Sequence, residues 1–535
     1  MDSLNRRSFL ANIARLGALF GSGSIAQLLS GEQFALGQTE SASATPAHES
    51  DEGPLTLELK GRSYKVDPWT GDNFLLGHRL RDSEIPTAKV ASEKRCDFVI
   101  VGGGLAGLTA AYHLRNEDFV LLEQYATFGG VSRGDSYRGI NFSYGSYIAG
   151  TGDNITDELF DVLGLKPVKL ASNRNSWHIA EKYFVGVESG LKDGLSKDFA
   201  EFRQKSEPIW NAIKTASEAA NPAVSLMEDK TSRELDLLSF ASVLRSFSPA
   251  FIRAVDRFCR SRNCIAPERL SALAGYQLTH EMFEEVGTLP GGNQTISDAI
   301  LRKLPPDRCA TNSFVWSVAV TESGTEVLYS DNAGNLQRVL AKQAIVAVPP
   351  LVAARIIKHV DNMSKAAMMG FRYGSYLVAN LLLARKSFEG TFDNFYDEQS
   401  GFTDLVVADT VYRSSKTYTP NIGQVLTVYR PYAPGSEGRP LLLEGSRKNF
   451  AGEIAEQVSR ISDKLEASLE RIVLSRWGHV MPVMNVGYYA KMSKVASINY
   501  PNLILAHSSI QGQPCVDSAA RAGRSAARQA LKLSR

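Results

Sequence analysis

The reading of the chain turns on Asp97-Phe98-Val99-Ile100-Val101-Gly102-Gly103-Gly104-Leu105-Ala106-Gly107, continued by an amphipathic helical pattern to Leu114. Phe98-Val99-Ile100-Val101 is a short β-rich apolar run, as a buried parallel strand requires, and it leads directly into G-x-G-x-x-G. Gly102 permits the tight turn, Gly104 lets the backbone approach a pyrophosphate, and Gly107 lets the helix sit close to the strand. Leu105 and Ala106 open the helix, whose free N–H groups and positive dipole end suit phosphates. A second strand, Phe119-Val120-Leu121-Leu122, ends in Glu123, 21 residues past Gly102, where a carboxylate can accept hydrogen bonds from an adenosine ribose. Strand, glycines, helix, strand and acid in that order predict a dinucleotide site far more strongly than the glycines alone.

The residues just after the acid separate FAD from NAD. Glu123-Gln124-Tyr125-Ala126-Thr127-Phe128-Gly129-Gly130-Val131-Ser132-Arg133-Gly134 resembles the second fingerprint of the flavin amine oxidase superfamily. In that family Gly129, Gly130, Val131 and Arg133 would run against the flavin diphosphate. Three later segments resemble the same family in the expected order. Leu289-Pro290-Gly291-Gly292-Asn293-Gln294 looks like the entry to a returning helix, and Phe314-Val315-Trp316-Ser317-Val318 like the strand whose Val315 backbone meets adenine. Ala344 to Pro350 would close that sheet. Asn502 to Ser509, then Cys515-Val516-Asp517-Ser518, resemble the C-terminal flavin segment, which implies Ser508 and Ser509 at the ribityl and phosphate and Val516 at the start of a helix aimed at the ring.

The resemblance implies an α/β fold in which a Rossmann-like FAD-binding domain (96–175, 285–350 and 470–535) is interleaved with an α+β substrate-binding domain (176–284 and 351–469). It runs from about Cys96 to the end of the sequence and is weakest over 170–250 and 375–465. Within the superfamily, Gly71 to Asp82, Phe258-Cys259-Arg260 and Ser271 to Gly275 resemble the exported spermidine or polyamine dehydrogenase branch. The implied activity is FAD-dependent oxidation of an amine, polyamine or monoamine, by hydride transfer, with oxygen or a respiratory carrier as electron acceptor. Tyr373, Trp477 and Tyr488 are candidate walls for the amine, with Tyr376 and Tyr489 beside them, since flavin amine oxidation needs a dry, aromatic pocket. Core packing is the competing reading of each.

No catalytic residue is legible. Arg355 stands where the resemblance leads one to expect a lysine, and an arginine cannot serve as a neutral base. Gly487 stands where a flavin-linking cysteine occurs in monoamine oxidases, so the FAD is expected to be non-covalent, and Cys515 replaces one cage tyrosine. Arg476-Trp477-Gly478-His479-Val480-Met481-Pro482 resembles the matching segment of protoporphyrinogen oxidases and desaturases equally well. An apolar substrate therefore stays open as an alternative, as does a flavin-binding redox partner without turnover. A haem is neither indicated nor excluded by any motif, and no metal motif is present.

The rest of the chain sets limits. Its 535 residues, with 59 Lys and Arg against 57 Asp and Glu, carry a formal charge of +2, which gives no global field for nucleic acid or an anionic membrane. An apolar share of 44% and a charged share of 22% are those of a globular protein. Five cysteines are too few for a disulfide framework, although Cys259 and Cys264 are close enough in sequence to pair in an oxidising compartment. Asn5-Arg6-Arg7-Ser8-Phe9-Leu10 before the Ala/Gly/Leu-rich stretch to Leu29 resembles a twin-arginine export signal over 1–37. It implies the twin-arginine translocase as a partner, periplasmic localisation and no stable membrane insertion. Residues 38–95 read as a flexible mature N-terminus and an extension packed on the main body.

Overall fold

Two sheets of different construction carry the fold, and the candidate site lies between them. The computed structural model describes residues 53–148, 154–170, 174–179, 181–186, 195–219, 221–412, 423–435 and 438–534. The expected export signal over 1–37, and the polar stretch as far as residue 52, lie outside the described residues.

The first sheet has seven strands. Ser92–Val101 pairs in parallel with Phe119–Leu122 on one side and Leu336–Val346 on the other, with Val99 opposite both Val120 and Ala344. Cys309–Ala310 extends it in parallel beyond Phe119–Leu122, and Leu503–Leu505 joins in parallel at the C-terminal half of Leu336–Val346. The antiparallel run Phe314–Thr321, Gly324–Ser330 and Leu336–Val346 completes it. Phe98, Val99, Ile100 and Val101 are all buried, since helices or strands cover both faces, so this strand reads as a continuous apolar run. Helix Val516–Leu533 packs on helix Leu105–His113, and the small buried side chains Ala520, Ala526, Ala527 and Ala530 belong to the same core as Ala106 and Ala110.

The second sheet has ten strands. Its order is Leu55–Leu59, Arg62–Val66, Leu469–Pro482, Tyr373–Leu383, Gln424–Tyr432, Asp404–Val407, Asp393–Tyr396, Asn175–Ile179 and Lys182–Val185, with Thr70–Gly71 also on Leu469–Pro482. Strand Tyr373–Leu383 is buried throughout, yet its period of two still sorts the side chains. Leu377, Ala379, Leu381 and Leu383 enter one apolar core with Phe450, Ile454 and Leu474. Tyr376 and Val378 face the other way, toward a cavity.

Helices Leu195–Ser217, Pro249–Asn263 and Ala272–His280 stand across that cavity, held together by an aromatic core of Phe199, Phe202, Trp210, Phe240, Phe251, Tyr276 and Phe283. Pro at the first turn and Ser248 Oγ accepting the Phe251 N–H start Pro249–Asn263.

The α/β architecture is the one expected, but three boundaries move. Residues 55–71, taken as part of a tail and extension, supply three strands to the large sheet, Lys65 and Val66 pairing with Arg471 and Ile472 and Thr70 with Ser475. Residues 470–482, taken with the FAD-binding portion, run through the large sheet beside Tyr373–Leu383 instead, as part of strand Leu469–Pro482. Residues 351–356, assigned to the substrate side, continue a helix begun at Pro350, and just beyond it the Lys358 N–H donates to Val318 O of the first sheet. Hydrogen-bonded partners far away in sequence set these boundaries, and apolar pattern alone cannot name a strand's partner.

Candidate functional site

The glycine loop closes at the C-terminal end of Ser92–Val101. Gly102 has φ +104° and its N–H donates to Leu122 O. A Cβ on Gly107 would lie 1.9 Å from Gly102 O, so only glycine lets the helix start this close to the turn. Gly104, the N-cap of Leu105–His113, has open space where its Cβ would stand. Leu105 and Ala106 are buried behind it in the first turn of the helix.

Glu123 is 5% exposed, and its carboxylate accepts the Gly103 N–H at 2.7 Å and the Tyr125 N–H at 2.9 Å. Burial pushes its carboxyl up, against those two N–H groups and Arg133. Gln124 is half-buried beside it. The Gly129 N–H donates to Gly103 O, folding Gly129 and Gly130 back against the first loop. Arg133 donates from Nε to Gly130 O and from Nη2 to Gly71 O, and stacks over Tyr125 at 4.6 Å and Trp477 at 5.5 Å. Ser313 N–H donates to Glu123 O, which brings the start of the Val315 strand to the same corner. The open face over Gly104, the helix N-terminus behind it and the acid at the second strand end fit the adenosine diphosphate half of FAD.

The C-terminal segment lies farther along. Ser508 opens a one-turn helix, and Ser509 is buried with its hydroxyl 2.6 Å from His507 Nδ1. Burial holds His507 down at about 4, so its ring is neutral. Cys515 caps helix Val516–Leu533, with Ser518 Oγ accepting the Cys515 N–H at 2.9 Å, and its thiol is pushed up to about 12.

A cavity of about 680 Å³ begins at this segment, lined by Gln511 to Ser518 and by Val131, and extends over the large sheet. Its floor is one face of that sheet, laid out by register. Tyr376 stands opposite Trp477, Val378 opposite Tyr429, Tyr429 opposite Asp404, and Val406 opposite Asp393. All seven side chains line the cavity, as do Tyr147 and Phe392. The polar tips are committed: Trp477 Nε1 donates to Tyr144 O, the Tyr376 hydroxyl to Ser261 O, and the Tyr429 hydroxyl to Gly145 O. Arg262 also lines it, donating from Nη2 to Asp393 at 2.8 Å and from Nε to Glu281 at 3.1 Å, with Nη1 3.8 Å from Asp404. Lys214, Glu218 and Glu284 are exposed at the cavity's rim.

Of the candidate walls, Trp477 lines the cavity while Tyr373 and Tyr488 do not. Tyr373 is an odd number of residues from Tyr376 on the same strand, which turns it to the opposite side, edge-on to His479. Tyr488 is 1% exposed, and its hydroxyl donates to Ser509 O and Gly512 O, holding the Ser508 to Gly512 loop from behind. Arg355 is exposed on Pro350–Ile356 and donates to Leu351 O, since that helix buries Ala353, Ala354 and Ile356 and turns position 355 outward. It does not line the cavity. Cys259 and Cys264 are free, buried thiols; no bond joins them. Among the described residues no helix is long and apolar enough to cross a membrane, and no group of His, Cys, Asp and Glu is placed to hold a metal.

Sequence reasoning missed Asp393, Asp404, Arg262, Tyr147 and Tyr429. The available signal was Asp404 inside the apolar run Phe402 to Val407, because a charge amid strand residues needs a buried partner.

The family model for flavin containing amine oxidoreductases matches residues 105–531. A Dictyostelium discoideum protein named "Probable flavin-containing monoamine oxidase A" is 27% identical over 283 residues, 49% of this chain and 59% of that protein, so the chain spans less than two thirds of the relative's length. The solved structure of cyclohexylamine oxidase from Brevibacterium oxydans IH-35A superposes with a TM-score of 0.65 at 16% identity, covering 82% of this chain and 100% of the other. Putrescine oxidase bound to putrescine gives 0.63 at 19%, covering 83% and 99%. At these identities the two structures establish a shared fold.

Proposed function

Since the chain belongs to the flavin containing amine oxidoreductase family, we propose that it is an FAD-dependent oxidoreductase that oxidises an amine. The observation that carries this reading is the cavity that runs from the Gln511 to Ser518 segment to an aromatic and carboxylate-bearing sheet face. An apolar substrate would leave the buried charges of Asp393, Asp404 and Arg262 facing hydrocarbon, so the floor suits a cation.

Gly102, Gly104, Gly107, Glu123, Gly129, Gly130 and Arg133 would hold the adenosine diphosphate, and Ser508, Ser509 and Val516 the flavin end. Bound FAD would supply the two-electron acceptor for a hydride from the carbon next to nitrogen. The amine loses that hydride and a proton from nitrogen, and water hydrolyses the resulting imine. Trp477, Tyr376, Val480 and Met481 are among the residues that line the cavity. Their low polarity favours the neutral amine that this chemistry requires. Nothing in this reading needs a covalent link to Gly487 or Cys515, and release of the flavin on acid precipitation tests the non-covalent state.

Purified protein should be yellow, and its absorbance should bleach when amines are added without oxygen. A flavin that stays oxidised across primary, secondary and polyamines overturns the amine reading. Reoxidation by air, compared with reoxidation by a quinone or a cytochrome, distinguishes oxygen from a respiratory carrier. The Arg6-Arg7 pair supports export through the twin-arginine translocase and action in the periplasm; replacing both by Lys should retain the protein in the cytoplasm, and unchanged export removes that part of the reading.

A further inference from the structure

A group of positive side chains gathers away from the cavity, where three helices and a strand end meet. His78 comes from helix Phe74–Asp82, Arg355 from helix Pro350–Ile356, Arg439 from helix Gly438–Glu444 and His479 from strand Leu469–Pro482. None of the four lines the cavity.

Arg439 Nη2 lies 2.7 Å from His78 Nε2. A guanidinium only donates, so Nε2 accepts, and the neutral ring keeps its proton on Nδ1 as a further donor. His78 stacks on Phe74 at 6.1 Å, and the Phe74 ring comes 3.0 Å from where a Cβ on Gly478 would stand, which brings His479 to the same corner. Burial, then Arg439, His78, Arg355 and Arg81, hold His479 down at about 4. Partial burial, Arg81 and Arg355 likewise lower Arg439, with Asp72 acting against them.

Like charges drawn together and half out of water need a counter-charge, and the nearby carboxylates are already engaged. Asp82 is taken by Arg81, whose Nη2 donates to it at 2.7 Å. Asp72 accepts the Gly478 N–H at 2.8 Å and lies beside Arg133 and the Tyr125 hydroxyl. Among the described residues no ion pair reaches Arg355 or Arg439: Arg355 donates to Leu351 O, and Arg439 meets the neutral imidazole.

An oxyanion would complete this group. The remaining N–H groups of Arg439 and Arg355 and the Nδ1–H of His78 arrive from three separate helices. A tetrahedral oxyanion presents acceptor oxygens in several directions, whereas a carboxylate presents two in one plane.

We propose that Arg439, Arg355 and His78 form a binding site for a phosphate-type oxyanion, either free or on a lipid headgroup, separate from the dinucleotide cradle and from the cavity. The site goes beyond the amine-oxidation reading and does not depend on it. Its occupant takes no part in bond breaking.

The test titrates purified holoenzyme with inorganic phosphate in a calorimeter, with sodium chloride holding the ionic strength constant. Saturable binding of one phosphate per chain is expected, with a higher melting temperature in phosphate than in chloride. The affinity should fall roughly ten- to a hundredfold in Arg439→Gln and in Arg355→Gln, the range for a hydrogen bond to a charged group. Arg95→Gln, at an exposed arginine paired with Glu93, should change it by less than about twofold. Flavin absorbance and melting temperature confirm that the variants fold. Wild-type protein that responds to phosphate no more than to chloride overturns the site without recourse to any variant. So does an affinity that survives both substitutions. Folded variants that lose flavin together with phosphate binding would assign the cluster to the FAD diphosphate and overturn a separate site. Vesicles of phosphatidylglycerol, against phosphatidylcholine as control, distinguish the two sources, each upholding the site. Sedimentation with the first that depends on Arg439 makes the phosphate a lipid's, and phosphate binding without sedimentation makes it a free anion.

Discussion

Glu123 and Asp404 are both buried carboxylates at strand ends, yet they are opposites in how they are satisfied. Glu123 closes a loop: its oxygens accept N–H groups from Gly103 and Tyr125, residues within 20 positions of it. Asp404 takes the Thr403 hydroxyl on Oδ1, has the Ser261 hydroxyl beside it, and lies 3.8 Å from an arginine that also serves Asp393 and Glu281. The first arrangement is a self-consistent cradle that fixes backbone for a ligand. The second depends on one arginine from a distant helix, shared among three carboxylates. A carboxylate satisfied by local N–H groups can be read from sequence, whereas one whose cation arrives from a distant helix is set by packing alone.

The contrast can be broken most severely at the cradle. Gly107→Val should abolish flavin retention, because a Cβ there meets Gly102 O at 1.9 Å and the turn must open; purified protein should lose its visible absorbance at least roughly tenfold, with a stability loss of about 1–3 kcal/mol from overpacking. Normal flavin content in that variant would show that the turn does not hold the cofactor.

The next effect concerns pH. Asp404 has a folded pKa of about 7, above its ordinary 3.8, so the unfolded chain releases this proton first as pH rises. Its contribution to stability is then fully favourable below about 4, declines through the interval, and reaches its most unfavourable value above about 7. Urea melts at pH 5 and 8 should show wild-type stability falling across the interval, and Asp404→Asn should flatten that fall. A slope unchanged by the substitution would mean that the carboxylate is satisfied after all.

Smaller effects sharpen the boundary of the site. Tyr488→Phe removes a hydroxyl that supports Ser509 and Gly512 from behind the cavity, so it should cost about 1 kcal/mol in thermal unfolding and shift amine affinity only slightly. A large loss of affinity at unchanged stability would return Tyr488 to the cavity wall. Arg355→Ala should alter the rate of anaerobic flavin reduction by less than about twofold, since exposed substitutions away from special features act weakly. A large drop in that rate would give position 355 a catalytic part despite its outward side chain.

Legibility in the sequence follows the same division. The spacing from Gly102 to Glu123 could be read because a strand, a turn and a helix bring those residues together through local geometry alone. Val315 and Ser509 could be placed only through family resemblance, since the hydrogen bond from Ser313 to Glu123 O spans 190 positions. Tyr373, Tyr376 and Trp477 were all nominated as aromatic neighbours of the flavin segments, but only the pleat decides that Tyr376 and Trp477 share the cavity face while Tyr373 turns away. Asp393 and Arg262 gave no local signal at all, because an arginine on a helix and an aspartate on a strand look like ordinary surface charges until packing buries both.

The sequence by itself determined the dinucleotide cradle and the α/β class, because glycine stereochemistry and short-range strand–helix periodicity act over a few residues. Tertiary structure alone decided which faces of ten strands meet across the cavity, and hence that Trp477, Tyr376, Tyr429, Asp404 and Asp393 form one floor. Side chains on a strand alternate with a period of two, and only the pairing register fixes which half of them faces the cavity.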